Sequence, residues 1–130
     1  MATLIKDRRV VAHPSPPEAV LEPTDDPAML ADRIASLRVI AVRFPKYGDG
    51  RGFSIGRLLR DRYRYQGELR AVGEVARDHL QALERCGFDA FELREGEDLG
   101  DALTGFDDFS EAYQASAAQP RPLFRRRASL

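Results

Sequence analysis

Short apolar runs alternate along the middle of the chain with longer segments in which apolar residues recur every three or four positions. The first pattern is typical of buried strands and the second of amphipathic helices. The pattern predicts strands over residues 38–44, 68–72 and 89–93, and helices over residues 26–37, 54–65 and 74–86, with further helical turns at 98–103 and 109–117. Because strands and helices alternate, we expect a small single α/β domain with a β-α-β-α-β core of short parallel strands.

Both a fragment-like piece of a βα barrel and a minimal flavodoxin-like sheet fit this order of elements. The strands are short, so helices must cover at least one face of the sheet. In a parallel sheet, ligands collect at the carboxyl ends of the strands. Those ends are predicted at residues 45–53, 73–74 and 94–98.

The two ends of the chain differ in composition from this central body, which we place at residues 26–114. Residues 1–25 contain a short apolar run at 9–12 followed by several prolines, so a strand or hairpin and then an extended, loosely packed crossing segment are expected. Residues 115–130 carry two prolines and the basic cluster Arg125 to Arg127. This composition predicts a flexible tail.

Composition narrows the class of protein. With 130 residues, 43% hydrophobic and 32% charged, the chain is long enough for one core. A net charge of -1 gives no general attraction to nucleic acid or to an anionic membrane. Cys86 is the sole cysteine of the chain, which excludes an internal disulfide. Without a signal-peptide pattern or a long apolar run, a cytoplasmic setting is expected. The oligomeric state stays open.

A glycine-rich, basic loop follows the first central strand. Gly48, Gly50 and Gly52 could turn backbone N–H groups inward, and Ser54 is a suitable N-cap, so the loop could hold an anion at a helix N-terminus. The candidate anion- or ligand-binding residues are Lys46, Asp49, Gly50, Arg51, Gly52, Ser54, Arg70 and Glu74. The alternative is an ordinary turn whose glycines are required by backbone angles.

Two more specific interpretations of these residues, a dinucleotide-binding loop and a carboxylate cluster, are less favoured. Gly50, Gly52 and Gly56 have the spacing GxGxxxG instead of the GxGxxG of dinucleotide-binding loops. Asp49, Glu74 and Glu95 could form a carboxylate cluster at the strand ends, although solvation in loops is the simpler account. We therefore assign no metal and no cofactor.

Charged and nucleophilic groups on the helices have both a functional and a structural interpretation. Arg57, Arg60 and Arg64 fall on one predicted helix face and could dock an acidic partner, although a solvated surface is more common. His79 and Cys86 lie seven residues apart and share a helix face. A packed histidine and a small buried thiol are favoured over a catalytic pair.

Four segments carry a resemblance to a known family: FPK from Phe44, DGRG from Asp49, GELRAVG from Gly67 and RCGFDAF from Arg85. Over residues 44–93 the chain resembles the bacterial family called domain of unknown function 934. The resemblance implies a companion of assimilatory sulfite reductase, in a family described as oxidoreductases of sulfite reduction. Whether the chain is itself an enzyme stays open.

Two hypotheses follow. Sulfite reduction uses a sirohaem coupled to a [4Fe–4S] cluster, which requires several cysteines, so Cys86 alone cannot support the reductase core. The first hypothesis is an accessory protein of sulfate and sulfite reduction that docks on sulfite reductase or its electron donor. The alternative is a small anion- or nucleotide-binding oxidoreductase that uses the loop amides with Lys46, Arg51 and Arg70.

Overall fold

One mixed sheet of six strands organises the protein. The computed structural model describes residues 4–12, 14–46 and 50–106. The strands are β1 (Leu4–Lys6), β2 (Arg9–Val11), β3 (Ala19–Leu21), β4 (Val39–Phe44), β5 (Glu68–Gly73) and β6 (Ala90–Phe91). Their order in the sheet is β2-β1-β6-β5-β4-β3. The predicted 109–117 helix and 115–130 tail lie outside the described residues.

Strands β3 to β6 are parallel and lie side by side in chain order. In the longest pairing, Val39 of β4 is opposite Glu68 and Phe44 is opposite Gly73. The predicted α/β class is therefore confirmed. The consecutive order matches the barrel-fragment alternative, because a flavodoxin-like sheet reorders its first strands. The sheet is open, with β2 and β3 at its two edges.

Helical segments connect these parallel strands, and two more follow β6. They are the 3₁₀ helix Pro27–Ser36, α1 (Arg51–Asp61), the 3₁₀ turn Arg77–His79, α2 (Leu80–Arg85), α3 (Leu99–Ala102) and the 3₁₀ turn Leu103–Phe106. The predicted 74–86 helix begins later than expected. The Glu74 N–H donates to the Phe44 carbonyl oxygen (2.7 Å), and the Val75 carbonyl accepts from the Arg94 N–H (2.9 Å). Residues 74 and 75 therefore continue the sheet pairing before the helix starts.

The core lies between these helices and one face of the sheet. Ile40, Val42, Leu69, Ala71 and Phe91 alternate along their strands onto this face. They pack in one cluster with Leu30, Ile55, Leu59, Leu80 and Leu83 from the helices. Right-handed crossovers between consecutive parallel strands place all the connecting helices on the same side. The protein therefore has two layers, with helices on one face of the sheet.

The described part of residues 1–25 contributes three strands to the sheet. The sequence predicted a strand or hairpin and then an extended, loosely packed segment, so the β1–β2 hairpin agrees with the prediction, whereas the burial of β1 and the pairing of β3 were not expected. Leu4 and Ile5 are fully buried, and β1 lies inside the sheet between β2 and β6. Asp7 and Arg8 form the tight turn of the β1–β2 hairpin with positive φ angles of 52° and 64°. Three-residue strands are too short for hydrophobic periodicity to reveal them.

The connection from β2 to β3 crosses the whole sheet. Five strand spacings of about 4.8 Å give a lateral path of about 24 Å. The eight residue steps from Val11 to Ala19 reach at most about 29 Å, so the connection has little slack.

Candidate functional site

The carboxyl ends of the parallel strands meet at one edge of the sheet, which we call the carboxyl edge. Phe44 and Gly73 end neighbouring strands in register, and residues 92–94 follow β6 beside them. Glu74 and Glu95 both come after strand ends at this edge and are exposed. Asp49 lies outside the described residues. The predicted three-carboxylate cluster therefore stays a prediction.

Two glycines of the predicted loop serve the packing of α1 on the sheet. A Cβ atom on Gly52 would stand 2.5 Å from Cζ of Phe44, and one on Gly56 would stand 2.7 Å from Cζ of Phe88. Neither glycine has a positive φ, and Gly50 has a φ of −75°. Close approach of two aromatic rings explains Gly52 and Gly56, whereas the space around a Cβ on Gly50 is open.

The start of α1 differs from the prediction. Gly50 is the N-cap and Arg51 the first helical residue, so Ser54 lies in the first turn and its assignment as N-cap was wrong. Lys46, Arg51 and Ser54 are all exposed. The helix begins three residues earlier than expected, and Gly52 in its first turn lies against the Phe44 ring.

Arg70 is not brought to this loop. It lies in the middle of β5, opposite Ala41 and Ala90, on the sheet face away from α1. The residue is only 3% exposed, and its guanidinium donates to Oε2 of Glu68 at 2.7 Å. Lys6 Nζ lies 3.2 Å from the other Glu68 oxygen. Arg70 therefore belongs to a buried charge cluster separated from the glycine loop by the sheet.

At the opposite end of the strands, which we call the amino edge, Arg60 joins two loops, the one before β5 and the one before β6. Its Nε donates to the Gly87 carbonyl (2.8 Å), and its Nη1 donates to the carbonyls of Tyr65 (2.9 Å) and Gly67 (2.8 Å). Its Nη2 lies 3.5 Å from Oδ1 of Asp89. The guanidinium also lies over the Tyr65 ring. These contacts make Arg60 an internal clamp.

The three arginines predicted to share a helix face have different environments. Arg57 is exposed and its Nη2 lies 3.7 Å from the Cys86 sulfur. Arg60 is the clamp just described. Arg64 follows the end of α1 with a φ of 56° and is exposed. A single helical stripe of all three is therefore not formed.

An open groove of about 600 Å³ lies at the amino edge between the carboxyl ends of α1 and α2. Arg57, Cys86 and Asp89 line it. Asp89 accepts a hydrogen bond from the Leu69 N–H (2.8 Å), but burial raises the pKa of its carboxyl group. The groove therefore mixes charges of both signs.

His79 and Cys86 lie at opposite ends of α2 and do not form a pair. The His79 ring packs edge-on against Phe53, and burial lowers its pKa. Cys86 is half-buried beside Arg57. The structure thus supports the structural interpretation of both residues.

Tyr65 is the polar residue that sequence reasoning missed. It is 3% exposed, and its hydroxyl group has no hydrogen-bond partner. Burial raises the pKa of the phenol to about 12. The residue lines a cavity of about 190 Å³ between the 3₁₀ helix Pro27–Ser36 and the turn after α1. A tyrosine before a Gln-Gly turn gives no sequence signal that its hydroxyl will be unpaired.

The comparison with family models gives a match to a bacterial protein family of unknown function (DUF934) over residues 19–124. The chain belongs to the DUF934 family. The comparisons with curated proteins and with solved structures gave no match. The part matched by DUF934 starts at β3 and includes the Arg60 clamp, the groove and Tyr65.

Two properties of the described residues bear on what this DUF934 member can bind or cross. In residues 4–12, 14–46 and 50–106, no three His, Cys, Asp or Glu side chains are grouped as a metal ion would need. Over the same part of the chain, none of the helices combines the length and the apolar character needed to cross a bilayer.

Proposed function

We propose that this protein is a cytoplasmic accessory protein of assimilatory sulfate and sulfite reduction. In this proposal it docks on an acidic surface of sulfite reductase or of its electron donor. The supporting observation is a set of three exposed arginines at the carboxyl end of α1, Arg57, Arg62 and Arg64, which we call the basic surface. All three are exposed, and none has a carboxylate partner within the described residues.

The contrast with other arginines supports a role in binding. Arg38 pairs with Glu18 (3.3 Å) and Arg43 with Glu22 (2.9 Å), so these charges are neutralised within the chain. The charges of the basic surface are not. Clustered surface charges without internal partners accelerate association with a surface of opposite charge and select against wrong partners.

The Arg60 clamp supports the same proposal because it fixes the backbone that carries the basic surface. Arg60 ties α1 to the loops before β5 and β6 through three carbonyl groups. A surface held on rigid elements loses less conformational entropy on binding. The partner would then meet a preformed arrangement of positive charge.

The proposed role leaves the redox chemistry to the partner. A [4Fe–4S] cluster needs several thiolates, and this chain has one cysteine. The resemblance to domain of unknown function 934 implies association with sulfite reductase. Docking is the activity that requires no cofactor held by this chain.

The test is binding to purified sulfite reductase holoenzyme, measured by surface plasmon resonance at low and high salt. The double variant Arg57→Glu, Arg62→Glu should reduce the association rate at least tenfold at low salt, with the difference shrinking at high salt. Arg64 is left unchanged because it also lines the Tyr65 cavity.

Arg33→Glu is the matched control, since Arg33 is exposed on the 3₁₀ helix Pro27–Ser36 and is not one of the three arginines of the basic surface. It should bind like the wild type. Equal binding by the double variant and the wild type, or no binding of the wild type to the reductase or its electron donor, would contradict the proposal.

The alternative function, a small anion- or nucleotide-binding oxidoreductase, has less support from the geometry. Gly52 packs on Phe44 and Arg70 lies on the other sheet face, so the residues of that hypothesis do not converge. The test measures the melting temperature of the wild type and of Arg51→Ala with sulfite, sulfate, phosphate and nicotinamide nucleotides. A rise in the wild type that Arg51→Ala abolishes would favour this alternative over docking.

A further inference from the structure

The β1–β2 hairpin is attached at one side of the parallel part of the sheet. β1 pairs with β6 through two residue positions, with Ile5 opposite Phe91 and Lys6 opposite Ala90. The parallel strands β3 to β6 are paired with one another without the hairpin, and the match to the family model also begins at β3. The hairpin is therefore a separate unit of structure that covers the outer side of β6.

The hairpin is held in place by contacts with the rest of the chain, which we call the body. Ile5 is fully buried in the common core, and Lys6 Nζ lies 3.2 Å from Oε1 of Glu68. Arg8 binds Glu84 with two hydrogen bonds, from Nη2 to Oε1 (2.7 Å) and from Nε to Oε2 (3.0 Å). None of these contacts depends on the covalent connection from β2 to β3. The body of a second copy of the chain offers the hairpin the same contacts.

The connection from β2 to β3 is barely long enough for the hairpin to reach its own body. The lateral path between these strands is about 24 Å, because they lie at opposite edges of the sheet. The eight residue steps from Val11 to Ala19 include Pro14, Pro16 and Pro17. Prolines favour the polyproline II conformation, in which eight steps at about 3.1 Å each span about 25 Å. A closed monomer therefore requires an almost fully extended connection.

A taut connection of this kind favours exchange of the hairpin between copies. When the hairpin pairs with the body of a second copy, the connection no longer has to span its own sheet, and the contacts of the hairpin are retained. If both copies exchange their hairpins, the assembly closes with two-fold symmetry and does not grow into a filament. The remaining cost is the entropy of association, which a high protein concentration offsets.

We propose that two copies of this chain form a dimer by exchanging their β1–β2 hairpins. Each hairpin then pairs with β6 of the other copy, and Arg8 of each chain binds Glu84 of the other. The partner for this surface is a second copy of the chain, since only an identical body reproduces the register and both ion pairs of the hairpin. This inference goes beyond the docking function, because the basic surface is not part of the hairpin.

The first test measures the mass of the full chain by size-exclusion chromatography with light scattering, after refolding from urea at high protein concentration. The wild type should give a dimer. Inserting about six Gly and Ser residues between Ser15 and Pro16 adds up to about 20 Å of reach. This insertion should lower the dimer fraction about tenfold, because the hairpin can then fold back on its own body without strain. The same insertion between Glu95 and Gly96, in an exposed turn, is the control and should leave the dimer fraction unchanged.

The second test shows whether the dimer is formed by exchange of hairpins. Arg8→Glu puts a negative charge opposite Glu84, and Glu84→Arg puts a positive charge opposite Arg8, so each variant alone has like charges at this contact. In an exchanged dimer of one copy of each variant, both contacts again join opposite charges. With one variant ¹⁵N-labelled, native mass spectrometry after joint refolding should therefore show more of this mixed dimer than random pairing gives. Labelled and unlabelled wild type define the random proportion.

Three results would overturn the proposal. The first is a monomeric wild type after refolding at high concentration. The second is an equal dimer fraction in the wild type and in the chain lengthened after Ser15. The third is a random proportion of mixed dimers of Arg8→Glu and Glu84→Arg, because a dimer formed through any other surface gives that proportion. Both side chains are partly exposed, at 50% and 34%, so these variants are expected to fold.

Discussion

The two ends of the parallel strands are built differently. At the carboxyl edge, Phe44, Phe53 and His79 form a chain of edge-on ring contacts with centroids 5.6 and 6.3 Å apart. At the amino edge, the elements are instead held together by hydrogen bonds from Arg60 to three carbonyl groups. The unpaired Tyr65 hydroxyl and the basic surface also lie at this amino edge.

The comparison shows that a glycine-rich segment at a strand end need not be a ligand loop. Gly52 and Gly56 allow α1 to lie close to aromatic rings, so they help to close the carboxyl edge. The buried Tyr65 hydroxyl, which has no hydrogen-bond partner, is found at the other edge. Glycine spacing after a strand therefore does not by itself identify a ligand site in this protein.

The packing role of the glycines gives the prediction with the largest effect. Gly56→Val should lower the free energy of unfolding by about 3 kcal/mol, because its side chain would overlap the buried Phe88 ring. The matched variant Gly50→Val, where the space is open, should cost less than about 1 kcal/mol. Urea denaturation measures both. If both variants lost the same free energy of unfolding, Gly56 would not be required for packing against Phe88 more than Gly50 is required in its loop.

The clamp at the amino edge gives the next prediction. Arg60→Met keeps much of the side-chain volume but leaves the carbonyls of Tyr65, Gly67 and Gly87 without their donor. A loss of about 2 kcal/mol in unfolding free energy is expected.

Arg62→Met is the control for this experiment, because Arg62 is exposed just beyond α1. Its effect should stay within about 0.5 kcal/mol. If the two variants unfolded at the same urea concentration, Arg60 would be a surface charge like Arg62 and the amino edge would have no clamp.

The smallest expected effect concerns pH. Burial beside Phe53 lowers the pKa of His79 below its ordinary value of 6.5. Between that lowered pKa and 6.5 the unfolded chain binds the proton more readily, so stability should fall as the pH falls through this window. His79→Gln should show a shallower fall in urea midpoint. If the urea midpoints of the variant and the wild type fell in parallel with pH, burial of His79 would not be the cause of the pH dependence.

Much of the central fold can be predicted from the sequence. Strand β4, helix α1 and strand β5 follow from runs such as Val39 to Phe44 and from the apolar spacing of Ile55 and Leu59, because these elements are long enough to show a period. Gly87 directly follows the helix predicted over residues 74–86, and it has the positive φ of 107° that favours glycine at a helix end.

The site was less predictable, because its character depends on contacts between distant residues. Nothing in the local sequence distinguishes Arg60, which binds carbonyls up to 27 positions away, from the exposed Arg57. The apolar residues around Arg70 predict its strand. They do not reveal that Arg70 pairs with Glu68, which also pairs with Lys6. Unpaired atoms such as the Tyr65 hydroxyl are visible only once the fold is known.

Within the described part of the chain, the first strand, β1, pairs with the last strand, β6. Lys6 of β1 is opposite Ala90 of β6, and the Asp7 N–H donates to the Asp89 carbonyl oxygen. During synthesis on the ribosome, Leu4 and Ile5 must therefore wait for β6 to emerge before they can be buried. A ribosome stalled before β6 would carry a nascent chain with these apolar residues exposed to chaperones.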